Sequence, residues 1–315
     1  MRYSHASSPE LRARMVDLAH LLRSCREALL RTSREHHWMP AEGSVAAADV
    51  AVFSGQAEIR DDRLVLETVC AYLELAVHNC AALAAVCEAG EVIAAPPQLA
   101  RSVIENCARA CWLIDGELVS DPALNRLART YIDHHTSAVD RKLAAQRLMG
   151  KDSPGYKGAT QVFEAIRAEI KAVFPETVGE NFNSPKTIHG QRNLGLTQTV
   201  VWFFDYLHRS EMATVDGDVA EGLYVHLSNQ THPTISTIRD RRRFIAHGEH
   251  FGTQNVVPMA DLEKLVRLAV GSVQNALVLV HRYCGWPFDP AGEFEGLIDR
   301  ITPGLISPDD MPTAP

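Results

Sequence analysis

Lysine is scarce in this chain of 315 residues: it occurs only six times, so arginine carries most of the 31 positive charges. Acidic residues number 39, which gives a formal net charge of −8 at pH 7. An acidic balance excludes a protein that is basic over its whole surface and coats nucleic acid. It leaves room for a local patch, and arginines do concentrate in the segments 101–109 and 239–243.

Several motifs of common enzymes and secreted proteins are missing. The sequence has no GxxxxGK[ST] phosphate loop, no GxGxxG, no GxSxG and no HExxH, which excludes the usual nucleotide-binding, hydrolase and zinc-protease motifs. Its seven cysteines form no CxxC pair and do not indicate a disulfide framework. The first residues contain no apolar stretch, and no uninterrupted apolar run reaches the roughly 18 to 20 residues of a membrane span. We therefore expect a cytoplasmic protein that makes no membrane contact.

What the sequence does have is helical periodicity, with apolar residues three or four apart. It predicts helices over 9–34, 61–88, 99–116, 122–149, 159–174, 196–208, 218–229, 234–247 and 259–284. The stretches 36–60 and 175–195 lose the pattern and are predicted to be long loops, and the best strand candidates, 91–94 and 255–257, are too short to build a sheet. We expect an all-α fold, a single helical bundle of about eight to nine helices over 1–290, followed by an extended tail over 291–315.

Two polar patterns on predicted helices are candidates for substrate binding. The first pattern consists of Arg101, Glu105 and Arg109, which are spaced four residues apart and therefore lie along one side of a helix. They could form an ion network on the helix surface or bind an anionic ligand. Tyr224 and Ser228 share a face of a later helix, and His232 stands at the end of that helix. His232 suits a capping role there, while the three together could supply hydrogen-bonding groups to a cavity.

The segment RDRRRFIAHGEH, residues 239–250, carries the candidate catalytic residues. Arg243 and His247 are four residues apart, Arg242 and His247 five, and Gly248 predicts the end of the helix. This spacing resembles the signature of the HEPN superfamily of bacterial helical-bundle proteins. The resemblance implies a homodimer that cleaves RNA without a metal, with His247 transferring the proton and Arg242 (or Arg241) holding the scissile phosphate. Arg243, the next residue, is the third catalytic candidate. The chemistry is consistent, because imidazole can exchange a proton with a ribose hydroxyl and guanidinium can stabilise phosphorane charge.

Two other classes of function stay open at this point. Glu74, His78, Glu105 and His134 fall on three predicted helices, and carboxylate–histidine sets on facing helices build di-iron sites. The bundle core could therefore hold a pocket for a small molecule, either in an enzyme or a binding protein, with iron-dependent oxygenase chemistry as one form. The long apolar helices also suit a non-catalytic interaction protein. The expected partners are RNA or a small anionic ligand and a second copy of the chain; no cofactor is expected, with iron as the alternative.

Overall fold

Ten α-helices account for most of the residues that the computed structural model describes, which are 8–118, 120–177, 187–231, 235, 239, 241–247, 250–287 and 293–303. The helices are α1 (Pro9–His36), α2 (Val45–Ser54), α3 (Leu64–Ala89), α4 (Ala95–Leu113), α5 (Pro122–Met149), α6 (Pro154–Val173), α7 (Leu196–Arg209), α8 (Gly217–Thr231), α9 (Met259–Cys284) and α10 (Glu293–Ile301). They pack into one bundle, which confirms the predicted all-α class.

Four short strands complete the described structure. They are β1 (Thr187–Ile188), β2 (Gln191–Arg192), β3 (Arg242–His247) and β4 (His250–Asn255). β1 pairs with β2 and β3 with β4, each as a separate two-stranded antiparallel sheet. A single turn of 3₁₀ helix covers Pro175–Thr177.

The core of the bundle lies where α1, α4 and α9 surround α3. The prediction that the segment 61–88 is a central helix is confirmed, since Leu73 and Leu83 are fully buried. Three fully buried thiols, Cys25, Cys80 and Cys107, come from α1, α3 and α4. Burial raises the pKa of Cys25 and Cys107, so these side chains stay protonated and pack as small apolar groups.

The helix α3 bears on the expectation that the protein makes no membrane contact. By length and composition α3 is apolar enough to cross a membrane, because its few charged residues are spread out rather than clustered. The core helix of a bundle meets the same criteria, and α3 packs against α1 and α4 here.

Capping side chains explain where several helices begin. α1 starts at Pro9 as predicted, with the Ser8 hydroxyl accepting from the Leu11 amide at 3.3 Å. α6 starts at Pro154, five residues before the predicted start, because Ser153 caps the Tyr156 amide at 3.1 Å and a proline suits the first helical position.

Two segments predicted to lack helices contain them. Within 36–60, Ser44 caps the Ala47 amide at 3.1 Å and α2 follows. This short alanine-rich helix is apolar around most of its circumference, so it has no periodic pattern to detect. Within the predicted extended tail, α10 buries Phe294, Leu297 and Ile298 and packs against α1.

The largest departure from the sequence prediction lies in the predicted helix 234–247. Residues 242–247 form β3, whose register runs from Arg242 opposite Asn255 to His247 opposite His250. Only two residues, Gly248 and Glu249, separate the strands in the sequence, a length typical of β-hairpins. The four-residue spacing of Arg243 and His247 suits a strand as well as a helix, because four is also a multiple of two. Of the strand candidates, 91–94 leads into α4 through a turn, and only Asn255 of 255–257 belongs to a strand.

Candidate functional site

Five of the six predicted substrate-binding residues are in the described structure, and four of them come together between α4 and α8. The Arg101 guanidinium is the centre: its Nε donates to Glu105 Oε1 at 2.7 Å and its Nη2 to Tyr224 Oη at 2.8 Å. Its Nη1 donates to the hydroxyls of Thr231 at 3.0 Å and Ser228 at 3.4 Å. We call Arg101, Glu105, Tyr224, Ser228 and Thr231 the α4–α8 cluster.

The α4–α8 cluster is compact and balanced in charge. The Tyr224 hydroxyl donates to Glu105 Oε1 at 2.6 Å, and the Arg101 side chain also lies over the Tyr224 ring at 4.9 Å. Burial opposes the charge of Arg101, but hydrogen bonds to Glu105 and Tyr224 outweigh it and raise the Arg101 pKa. Burial and the hydrogen bond to Glu105 raise the pKa of Tyr224. The cluster therefore holds the end of α8 on α4, with Arg101 about one-fifth exposed.

Arg109 does not join this cluster. Its Nε lies 3.4 Å from Asp133 Oδ1 of α5, and its Nη2 donates to the Leu194 carbonyl at 3.2 Å. The guanidinium also stacks over Trp112 at 5.3 Å. Residues four apart in a helix drift slowly around it, and eight residues from Arg101 this drift turns Arg109 toward α5.

Two further buried ion pairs on α5 were missed by the sequence analysis. Arg126 makes a two-point contact with Asp49 of α2, with both N–O distances 2.6 Å, and Arg129 pairs with Asp115 at 3.1 Å. Arg129 also donates to the Trp112 carbonyl at 2.7 Å. One feature of the sequence could have indicated these pairs. Three polar residues, Arg126, Arg129 and Asp133, lie in a row on an otherwise apolar face of α5.

The β3–β4 hairpin meets the bundle close to the α4–α8 cluster. Arg241 Nη1 donates to the carbonyl of Ile93 at 2.7 Å, and its Nη2 donates to the side chain of Gln230. Ile93 lies two residues before α4, and Gln230 is the neighbour of Thr231 in α8. Burial lowers the pKa of Arg241. We call the position of Arg241, directly before β3, the hairpin root. The hairpin root and the α4–α8 cluster thus lie together at one end of α8.

The predicted catalytic residues lie on this hairpin. Arg242 and Arg243 are exposed in β3, and as successive strand residues they face opposite sides of it. His247 occupies the last position of β3, opposite His250 of β4. The remaining substrate-binding candidate, His232, lies outside the described residues.

The residues of the alternative metal hypothesis are not assembled in the described structure. Within its described residues, no group of three or more His, Cys, Asp or Glu side chains could hold a metal ion. Glu74 and His78 are exposed on α3. Glu105 belongs to the α4–α8 cluster, and His134 Nε2 lies 2.9 Å from the Thr68 hydroxyl.

Comparisons with protein-family models, with curated proteins and with solved structures find no match to this chain. The resemblance to HEPN proteins therefore depends on the segment 239–250 and on the all-α layout. Of what the resemblance implied, the all-α bundle is the part that the structure confirms.

Proposed function

We propose that the protein binds RNA at the hairpin root, through a surface formed by Arg239, Arg241, Arg242 and Arg243, which we call the arginine surface. The observation that carries the proposal is the pair of Arg241 contacts to Ile93 and Gln230. These contacts fix the exposed arginines of β3 beside the ends of α4 and α8. A surface whose side chains are fixed before binding loses less conformational entropy when it binds a phosphate backbone.

Some exposed arginines elsewhere on the bundle are ion-paired. Arg23 is paired with Glu88 at 2.5 Å and Arg209 with Glu117 at 2.6 Å. Arg242 and Arg243, in contrast, form no ion pair within the described part of the chain. Guanidinium binds phosphate oxygens through two parallel hydrogen bonds, so unpaired exposed arginines suit a phosphate ligand. On a chain of charge −8, such a patch binds nucleic acid locally rather than over the whole surface.

We further propose that the bound RNA is cleaved without a metal, as the resemblance to HEPN proteins implies. In that reaction a base takes the ribose 2′-hydroxyl proton, the 2′-oxygen attacks phosphorus, and the 5′-oxygen leaves with a proton from an acid. His247 would exchange the proton with the ribose, while Arg243, four residues earlier in β3, would stabilise the charge on phosphorus. Arg242, on the other side of the strand, would bind a neighbouring phosphate. In the strand register, His250 is the partner of His247.

The working form that we propose is a cytoplasmic homodimer. In HEPN proteins the Arg and His residues of two chains face each other across a dimer, and the exposed hairpin leaves this arrangement open to a second copy. Size-exclusion chromatography with light scattering should give twice the mass of 34.7 kDa. A monomer that cleaves RNA would contradict the dimer and leave the arginine surface in place.

Binding is tested with a fluorescent single-stranded RNA, titrated with the full chain at several salt concentrations. The double variant Arg242→Gln, Arg243→Gln should weaken binding about tenfold and reduce the salt slope by roughly one to two. The control is Arg26→Gln, Arg147→Gln, which removes the same charge from exposed positions on α1 and α5. Equal losses in the two double variants would mean that net charge, and not this surface, governs binding.

Cleavage is tested separately, with the same RNA and a metal chelator present throughout. The wild-type chain should cleave the RNA, whereas His247→Ala should retain binding and lose cleavage. If the pure wild-type chain binds RNA but never cleaves it, the catalytic part of the proposal is wrong and the protein is an RNA-binding module.

A further inference from the structure

A cleft of about 430 Å³ lies between α3, α5 and α6, away from the arginine surface. Apolar residues line most of it, and a polar group gathers on one side. The apolar lining consists of Leu64, Ala71, Leu75, Ala138, Val162 and Ile166. The polar lining consists of Thr68, Tyr72, Asp133, His134 and Ser137 and of two exposed charged residues, Glu67 and Arg141. A mostly apolar cleft of this size with a few convergent polar groups is typical of a small-molecule site.

The hydrogen bonds of Thr68 define the protonation of His134. The Thr68 Oγ1 lies 2.7 Å from the Leu64 carbonyl oxygen, which can only accept, so the single hydroxyl proton must lie between them. The same Oγ1 lies 2.9 Å from His134 Nε2 and must therefore accept a proton from it. This pattern assigns the hydrogen of the neutral ring to Nε2 and leaves Nδ1 as an acceptor.

The acceptor atom, His134 Nδ1, has no hydrogen-bond donor as a partner within the described part of the chain. Burial lowers the pKa of His134, against smaller opposing effects of Asp133, Glu169 and Asp61, so the ring stays neutral at neutral pH. The cleft therefore presents an unused hydrogen-bond acceptor beside an apolar wall.

The buried charge at the cleft is already compensated. Asp133 is paired with Arg109 at 3.4 Å and accepts a hydrogen bond from the Tyr72 hydroxyl. A charged ligand entering beside this pair would lose its hydration without gaining a buried counter-charge. An uncharged ligand that carries one hydrogen-bond donor loses much less hydration free energy on entering the cleft.

We propose that the cleft between α3, α5 and α6 binds a small, uncharged, apolar molecule with a hydroxyl group, an alcohol or a phenol. The hydroxyl donates to His134 Nδ1, and the apolar body lies against Leu75, Val162 and Ile166. The site is independent of RNA binding, since none of the residues of the arginine surface lines it.

The test uses two probes of almost equal size, 2-naphthol and 2-methoxynaphthalene, titrated calorimetrically into the full chain. The ether keeps the apolar body but lacks the donor. We expect 2-naphthol to bind about tenfold more tightly, the effect of one hydrogen bond in a partly desolvated site. His134→Leu should abolish this preference, whereas the control His20→Leu, at an exposed position of α1, should keep it.

A second variant tests the location independently of the imidazole. Ala71→Trp places a large ring in the cleft and should remove the binding of both probes. The proposal is overturned by equal affinities of the two probes for the wild-type chain, by no saturable binding of either, or by a preference that survives His134→Leu. Binding that survives Ala71→Trp would place the probe elsewhere and equally overturn it.

Discussion

The ion pair between Asp49 and Arg126 provides the most direct test of how the bundle is held together. Asp49 lies in α2, Arg126 in α5, and the Tyr283 hydroxyl of α9 donates to Asp49 Oδ2 at 2.8 Å. The side chains of Asp49 and Arg126 are 3% and 4% exposed, and both of their N–O contacts are 2.6 Å. One carboxylate therefore connects three helices in the interior.

Replacing this carboxylate isolates a buried positive charge. In Asp49→Ala the Arg126 guanidinium loses both of its short contacts while it remains surrounded by protein. Removing one partner of a buried pair costs about 3–5 kcal/mol, and we expect a loss of this size in the free energy of unfolding. Arg126→Met in the same chain removes the stranded charge and should recover much of that loss.

The assay is urea denaturation followed by far-ultraviolet circular dichroism, with Glu88→Ala as control. Glu88 makes a similar two-point contact with Arg23, at 2.9 and 2.5 Å, but on the surface. Water can solvate the arginine that this control leaves behind, so its stability should change little. Equal losses in Asp49→Ala and Glu88→Ala, or no recovery in the Asp49→Ala, Arg126→Met chain, would refute the argument from burial.

Two further predictions concern stability. Burial lowers the pKa of His281 and of His134, so the unfolded chain takes up protons at higher pH than the folded chain does. The urea midpoint should therefore be constant above about pH 6.5 and fall below it. An unchanged midpoint on acidification would contradict this. Gly285→Ala should destabilise the chain by roughly 1–3 kcal/mol, because its φ is +68° and a new Cβ would lie 2.7 Å from the Ser44 Cβ. Gly43→Ala, at φ +76° with open space around it, measures the conformational strain alone and should cost less in the same urea titration.

Long helices were predictable because their apolar faces repeat over many turns. The start and end of α5 and α9 match the prediction, at Pro122–Met149 and Met259–Cys284. The short helix α2 was not predictable in this way, because it is apolar on most sides and ten residues long. The strand β3 was mistaken for a helix because arginine and alanine favour helices and its spacing fits both periods.

The candidate site was predictable only where its residues share a helix face. Spacing alone placed Arg101 beside Glu105 and Tyr224 beside Ser228, and the structure brings the two pairs together. No spacing rule could show that Arg109 turns toward Asp133, or that Asp49 meets Arg126, because those contacts depend on how separate helices pack. The cleft beside His134 likewise exists only in the packed bundle.

The central claim is that RNA binds at the hairpin root, and hydrogen exchange read by mass spectrometry tests it most directly. Adding single-stranded RNA to the full chain should slow exchange in peptides covering 224–231 and 239–255. Peptides from α1 and from the cleft segment 133–141 should exchange as before. Slowed exchange confined to α1 or to the cleft, or no change anywhere at saturating RNA, would contradict the claim.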